Sequence, residues 1–162
     1  MKKITIALIA LGVFAVFSLP AQASTATATL NVSTTVDASC SMSTTPIVFP
    51  DYSPISQAND TSTGTVILTC TTGTSATIAL DSGVHGNGVQ RNMADSTSDT
   101  LRYSLFQDAA RTTLWLSGSS ALTVTAAPDN NPRTYTVYGL IPANQAVPSS
   151  AYTDAVTATV NF

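Results

Sequence analysis

The chain has 162 residues, of which 44% are hydrophobic and only 9% are charged. This length suits a single domain, since chains divide into several domains beyond about 250 residues. Much of the polarity comes from hydroxyl side chains, 27 Thr and 19 Ser, and Thr and Val favour strands. The composition also argues against a disordered chain, which is usually charge-rich and poor in β-branched residues. We therefore expect an all-β protein.

The first 23 residues have the pattern of a secretory signal peptide. Met1-Lys2-Lys3 is a basic start, residues 4–19 form an apolar run, and residues 20–23 (Pro-Ala-Gln-Ala) give the small-x-small pattern that signal peptidase cleaves. The run is shorter than the roughly 20 apolar residues that a membrane span needs. We therefore expect export with cleavage after Ala23, and no membrane insertion.

Cleavage would remove both lysines and leave an acidic chain. Residues 24–162 contain four Arg, nine Asp and no Glu, so four positive minus nine negative side chains give −5. This balance argues against nucleic acid or an anionic membrane surface as a partner. Without Lys, any assembly has to be non-covalent or disulfide-linked, because isopeptide cross-links through Lys cannot form.

Residues 24–36 alternate between polar and apolar positions. The odd positions are all polar, and the even positions carry an apolar face broken by Thr34; that face consists of Ala26, Ala28, Leu30, Val32 and Val36. Strict alternation is typical of a half-buried strand, and twelve such residues would span about 40 Å. The sequence predicts a long strand at the N-terminus of the mature chain.

Period-two stretches and turn sequences continue along the chain, and no helical period is sustained. Strands are predicted at residues 36–42, 47–49, 64–71, 75–81, 89–94, 100–107, 113–116, 121–125, 133–141 and 154–162. Short strands at this spacing indicate a β-sandwich. The last of them would place four apolar residues on one face: Val156, Ala158, Val160 and Phe162.

The two ends of the mature chain are unusual for a complete sandwich. The sequence stops at Phe162, at the end of an apolar strand that another strand or a polar tail would normally follow. At the other end, residues 24–36 form a spare strand. A fold that lacks its last strand and has a spare first one suggests strand exchange between neighbouring copies.

Two cysteines, Cys40 and Cys70, remain in the mature chain. In an exported protein a disulfide between them is the natural interpretation. A metal site is the alternative, but ligands are scarce, since the sequence has one histidine, His85, in a Gly-rich turn.

No catalytic constellation is recognisable in the sequence. Nucleophilic catalysis would need a base beside Ser or Cys, and His85, the sole candidate, is expected to be a solvated turn residue. The Asp residues mostly stand in turn sequences, where they hydrogen-bond their own backbone. Trp115 is expected in the core in preference to a sugar site. We therefore predict no enzyme activity, no cofactor and no metal.

Five motifs follow one another in a specific order. They are Ala-Ser-Cys at 38–40, Val-Ile-Leu-Thr-Cys at 66–70, Tyr-Ser-Leu-Phe-Gln-Asp-Ala-Ala-Arg-Thr at 103–112, Tyr-Gly-Leu-Ile-Pro at 138–142, and Tyr-x-Asp with a terminal strand at 152–162. Together they resemble the spore coat protein U domain family, which includes pilin subunits of archaic chaperone–usher pili. The resemblance covers essentially the whole mature chain. It departs from the family's donor strands at Ala26 and Ala28, which are small, and at Thr34.

The resemblance implies an incomplete immunoglobulin-like β-sandwich at residues 37–162, which lacks its C-terminal strand and is completed by donor-strand exchange. Residues 24–36 would be the donor strand, and its even-numbered face would enter a neighbour's groove edged by the four apolar residues of the last strand. A periplasmic chaperone would lend a strand first. At the outer-membrane usher, the next subunit's strand would replace it.

The function that this resemblance implies is that of a structural fimbrial subunit on the cell surface, a homopolymer that supports adhesion and biofilm formation. A tip adhesin is disfavoured, because a further receptor domain would not fit in the mature chain. The alternative is a stand-alone secreted coat or carbohydrate-binding protein with a complete sandwich. Its N-terminal strand would then fold back onto its own sheet.

Overall fold

A computed structural model describes residues 22–162. The chain divides into two units, Met1–Thr34 and Thr35–Phe162. The predicted signal peptide lies outside the described residues, except for its last two positions. In the described part of the chain, no helix is long and apolar enough to cross a membrane.

The second unit contains eight β-strands and one short 3₁₀ turn. In chain order they are β1 Cys40–Thr45, β2 Asp60–Cys70, β3 Ala76–Leu80, β4 Arg91–Ala94, β5 Thr100–Phe106, the 3₁₀ turn Gly118–Ser120, β6 Leu122–Val124, β7 Arg133–Ile141 and β8 Ala158–Asn161. Each strand lies within or overlaps a predicted one. The all-β prediction is confirmed.

The strands form two antiparallel sheets around a shared core. The larger sheet has the order β1-β2-β7-β5-β4, and the smaller has the order β6-β3-β8. Alternate residues of each long strand point inwards, so β2 buries Val66, Leu68 and Cys70. β5 likewise buries Leu101, Tyr103 and Leu105. The alternation in the sequence therefore identifies the face of each strand that forms the core.

Trp115 lies at the centre of this core. Its side chain is fully buried, and the indole Nε1 donates to the backbone carbonyl of Ile78 at 2.8 Å. A buried indole needs such a partner for its N–H. The core position expected for Trp115 is confirmed, so this side chain is not available to line a sugar site.

The predicted strand at residues 47–49 is not a ladder strand. Pro46 and Pro50 flank it, and proline has no N–H to donate to a sheet. One side-chain bond ties the segment to β2, from the Ser62 hydroxyl to the Val48 carbonyl. The segment is instead held by its side chains, which line the groove described below.

The predicted strand at residues 113–116 forms a single bridge, between Leu114 and Phe106. The chain changes sheets here. The Trp115 N–H donates to β5, whereas the Leu116 carbonyl accepts from Leu80 of β3 in the other sheet. A segment that moves from one sheet to the other within three residues cannot form a regular ladder in either.

Residues 24–36 form neither a helix nor a strand. Leu30 and Val32 are 86% and 87% exposed, and Val36 is exposed as well. An extended segment becomes a strand when its backbone N–H and C=O groups pair with another strand. The apolar face of the alternating pattern is therefore presented to solvent.

The predicted disulfide between Cys40 and Cys70 is confirmed. The two cysteines are direct partners in the register of β1 and β2, with Cα atoms 4.1 Å apart. The bridge therefore fastens β1, an edge strand, to the body of its sheet.

Replacing Cys40 and Cys70 together by Ala is expected to lower the free energy of unfolding by about 3–4 kcal/mol. The bridge closes a loop of 30 residues, and the chain-entropy model gives this magnitude for such a loop. Denaturant unfolding of both forms, each refolded with a synthetic peptide of residues 24–36, measures the difference. Two free thiols in the native exported protein, found by non-reducing mass spectrometry, would contradict the bridge itself.

Candidate binding groove

β8 is an edge strand, paired with β3 on one side. Its register places Ala158 opposite Leu80, while the next pair, Asp81 and Thr157, shares a backbone hydrogen bond of 3.0 Å. Hydrogen-bonded and non-hydrogen-bonded pairs alternate along an antiparallel ladder. The backbone N–H and C=O groups of Ala158 and Val160 therefore point away from β3, outwards from the free edge of β8.

A cavity of about 340 Å³ opens beside this edge. Val156 and Ala158 line it on one side, and Thr44, Ile47 and Phe49 line it on the other. Its floor contains apolar side chains of four strands: Val66, Leu80, Leu105 and Val137. Since β1 is also an edge strand, the groove lies between the free edge of β8 and the end of β1.

A second cavity, of about 720 Å³, adjoins the first. Both are lined by Ile47, Phe49, Met93 and Tyr152, so these four side chains separate two compartments of one groove. The second compartment is mostly apolar, with Asp51 and serines at its rim. Together the compartments offer more room than the first cavity alone.

Two glycines leave room for two of the side chains that separate the compartments. A Cβ atom at Gly64 would lie 2.6 Å from Cγ1 of Ile47, and one at Gly139 would lie 2.6 Å from Cζ of Phe49. Glycine within a strand often marks such a close approach. The Phe49 ring also meets Tyr103 edge-on, with ring centroids 6.4 Å apart. Ile47 and Phe49 are therefore fixed against the bare backbone of β2 and β7.

The polar part of the first cavity centres on Asp154, whose side chain is 2% exposed. The Tyr103 hydroxyl donates to Oδ2 at 2.6 Å, and the backbone N–H groups of Val84 and His85 donate to Oδ1 at 3.0 and 3.2 Å. Burial, followed by the hydrogen bond to Asp154, raises the pKa of Tyr103 far above its ordinary value. The phenol is therefore a permanent donor to this carboxylate.

Arg91 lies buried behind the same cluster, with 1% of its surface exposed. Its guanidinium donates to the backbone carbonyls of Asp81, Leu80 and Trp115, at 2.8, 3.1 and 2.7 Å. Burial lowers the pKa of Arg91. Arg91 and Asp154 are both buried, so one charge of each sign leaves the surface and the acidic balance inferred from the sequence is unchanged.

The four predicted groove-edge residues do not behave alike. Val156 and Ala158 line the first cavity, and Val160 packs against the core. Phe162 is 58% exposed and lines neither cavity. The predicted donor residues, Ala26, Ala28, Leu30, Val32 and Val36, are exposed.

The sequence alone does not predict the opposite wall of the groove or the polar cluster. It predicts a strand for Ile47 and Phe49, although their apolar-x-apolar spacing between two prolines is a usable signal. Asp154 stands in the Tyr-x-Asp motif, which by itself predicts no role for the carboxylate. His85 lies in its predicted turn, and its Nδ1 is 3.2 Å from Asp154 Oδ1. Among residues 22–162, no group of three or more His, Cys, Asp or Glu could hold a metal ion.

The fold is similar to that of one chain in the crystal structure of the CsuC–CsuE chaperone–tip adhesion subunit pre-assembly complex, from archaic chaperone–usher Csu pili of Acinetobacter baumannii. That match has a TM-score of 0.60 at 20% identity, and covers 79% of this chain and 41% of that chain.

The sequence comparisons define the family. Residues 26–159 match the Spore Coat Protein U domain. "Protein U" of Myxococcus xanthus is 30% identical over 159 residues, which cover 88% of this chain and 88% of that protein. The chain therefore belongs to the Spore Coat Protein U domain family, and the resemblance of its motifs to that family is confirmed.

Proposed function

We propose that the protein is a structural fimbrial subunit that polymerises by donor-strand complementation. Residues 24–36 of one copy insert into the groove of the next, and the resulting homopolymer supports adhesion and biofilm formation at the cell surface. The subunit crosses the periplasm with a chaperone and is assembled at an outer-membrane usher. Its role is structural, without catalysis.

The observation that carries this proposal is that a free strand edge lies beside an apolar groove. The backbone groups of Ala158 and Val160 point outwards from that edge without a partner strand, and the groove beside it is lined by Val156 and Phe49. An added strand would satisfy those backbone groups while its alternate side chains fill the groove. Residues 24–36 have the alternation that this requires, and Leu30 and Val32 are exposed.

The comparisons support the choice of partners. The solved complex with the same fold is described as a chaperone with a tip adhesion subunit from a chaperone–usher pilus. A strand-lending chaperone suits a domain with a free apolar edge, since such an edge is prone to aggregation. Without a chaperone, we expect the exported protein to aggregate, self-polymerise or be degraded.

Deleting residues 24–35 tests the proposal. The truncated subunit keeps its groove, so it should still bind the chaperone and accept a neighbour's strand, but it cannot donate one. Mixed with the full chain, it should shorten fibres in proportion to its share, as measured by electron microscopy.

Long fibres made by the truncated subunit alone would reject polymerisation through this segment. A soluble, two-state monomer formed by the full chain would favour the stand-alone secreted coat protein. That alternative is a second candidate, because the domain that residues 26–159 match is named after a spore coat protein.

A further inference from the structure

The chain changes sheets at Asp154, immediately before the free edge begins. Thr153 pairs with Ala94 at the end of β4, through two backbone hydrogen bonds of 2.9 and 3.0 Å. Two residues later, the carbonyl of Ala155 accepts from Val84, beyond the end of β3, at 3.1 Å. Asp154 therefore marks the crossover from the edge of one sheet to the edge of the other.

The Asp154 carboxylate holds this crossover from three directions. Oδ2 accepts from Tyr103 in β5, and Oδ1 accepts from the backbone of Val84 and His85 and contacts the imidazole of His85. Gly83 lies directly against the carboxylate with φ +81°, and a Cβ atom there would collide with Oδ2. A residue with a side chain would be strained in that conformation and would displace the carboxylate.

A second carboxylate makes the reciprocal contact. Asp81 Oδ1 accepts from the backbone N–H of Gly83 and of Thr157, both at 2.9 Å. Asp154, before β8, thus accepts from two backbone N–H groups of the turn after β3, and Asp81, in that turn, accepts from one N–H group before β8. These bonds fasten residues 154–157, where the ladder of β8 has not yet begun.

We infer that Asp154 is the positioning residue for strand acceptance, because it fixes the register in which Val156, Ala158 and Val160 face the sandwich. A shift of one residue would turn their side chains outwards and bring Thr157 and Thr159 into the groove. The inference rests on the proposed function, since it concerns the edge that receives the donor strand. It assigns to Asp154 a task that the apolar groove residues cannot perform.

The test uses the full chain, refolded with its disulfide intact in excess synthetic peptide of residues 24–36. The release rate is measured from the exchange of the bound peptide for a fluorescent copy in solution. Asp154→Ala should release the peptide at least tenfold faster than the wild type. Asp154→Asn keeps the size and some acceptor capacity and should show an intermediate rate, and Tyr103→Phe, which removes one bond, should accelerate release about threefold.

Asp108→Ala is the matched control. The Asp108 carboxylate also accepts backbone N–H bonds, from Thr112 and Thr113, but it lies in another loop and lines neither groove cavity. It should lower the thermal stability of the complex while leaving peptide release within twofold of the wild type. Equal acceleration by Asp108→Ala would show a general effect of stability and overturn the inference.

Backbone hydrogen exchange provides a readout that does not depend on release. In Asp154→Ala, the amides of Thr157 and Thr159, which face Asp81 and β3 and not the peptide, should exchange at least tenfold faster, while those of β2 and β7 keep their protection. Unchanged exchange at Thr157 and Thr159 would overturn the positioning role even if the peptide binds. A wild-type chain that accepts no peptide under any condition would instead reject the proposed function, and the inference with it.

Discussion

A carboxylate introduced on the apolar face of residues 24–36 is expected to abolish fibre formation, whereas one introduced on the opposite face is expected to be tolerated. Leu30→Asp or Val32→Asp would place a charge in the groove, where a buried unpaired carboxylate costs several kcal/mol. The same change also removes a side chain whose burial contributes about 1.5–3 kcal/mol. Thr29→Asp and Asn31→Asp would lie on the solvent side of the inserted strand.

The matched variants carry the same added charge on neighbouring residues of opposite faces, which tests the alternation of a strand. Fibre yield by electron microscopy and resistance of the polymer to SDS at room temperature would report the effect. Export levels serve as the control, because all four variants should leave the cell interior equally well. Equal tolerance at even and odd positions would reject insertion of this segment as a strand.

The sequence predicted the long strands well because their side chains alternate without interruption. In β5 and in the second half of β2, every second residue is apolar and becomes buried, so the pattern alone identifies the inner face. The disulfide was predictable for a different reason. Two cysteines in an exported chain have few other partners, and the register of β1 and β2 places them opposite each other.

The walls of the groove were harder to predict, because they depend on contacts between distant segments. The position of Ile47 follows from the absence of a side chain at Gly64, and that of Phe49 follows from the absence of one at Gly139. Alternation also continues through residues 154–157, although two backbone hydrogen bonds there are supplemented by bonds from the Asp81 and Asp154 carboxylates. No local pattern reveals that Asp154 meets a turn almost 70 residues earlier in the chain.

Arg91 shows most clearly that local sequence does not predict contacts between distant segments. Its neighbours Gln90 and Asn92 give it the appearance of a surface residue. Its burial follows from three backbone carbonyls that converge on one guanidinium from β3, the turn after β3, and the segment around Trp115. Arg provides five N–H donors in a rigid planar group, a geometry that Lys cannot reproduce. Arg91 thus joins the two sheets close to the Asp154 cluster.

Arg91→Met is expected to lower the free energy of unfolding by about 3–5 kcal/mol, because each buried carbonyl left without a donor costs about 1–3 kcal/mol. Arg133→Met is the control: Arg133 pairs with Asp129 at a solvent-exposed site, where an ion pair contributes about 0.2–1 kcal/mol. Denaturant unfolding of the peptide-bound chain would compare the two variants. A loss below about 1 kcal/mol for Arg91→Met would mean that water can replace the guanidinium, and that Arg91 does not tie the two sheets together. A large loss would identify Arg91 as the support beneath Asp81 and Leu80, the residues against which Thr157 and Ala158 of the open edge are aligned.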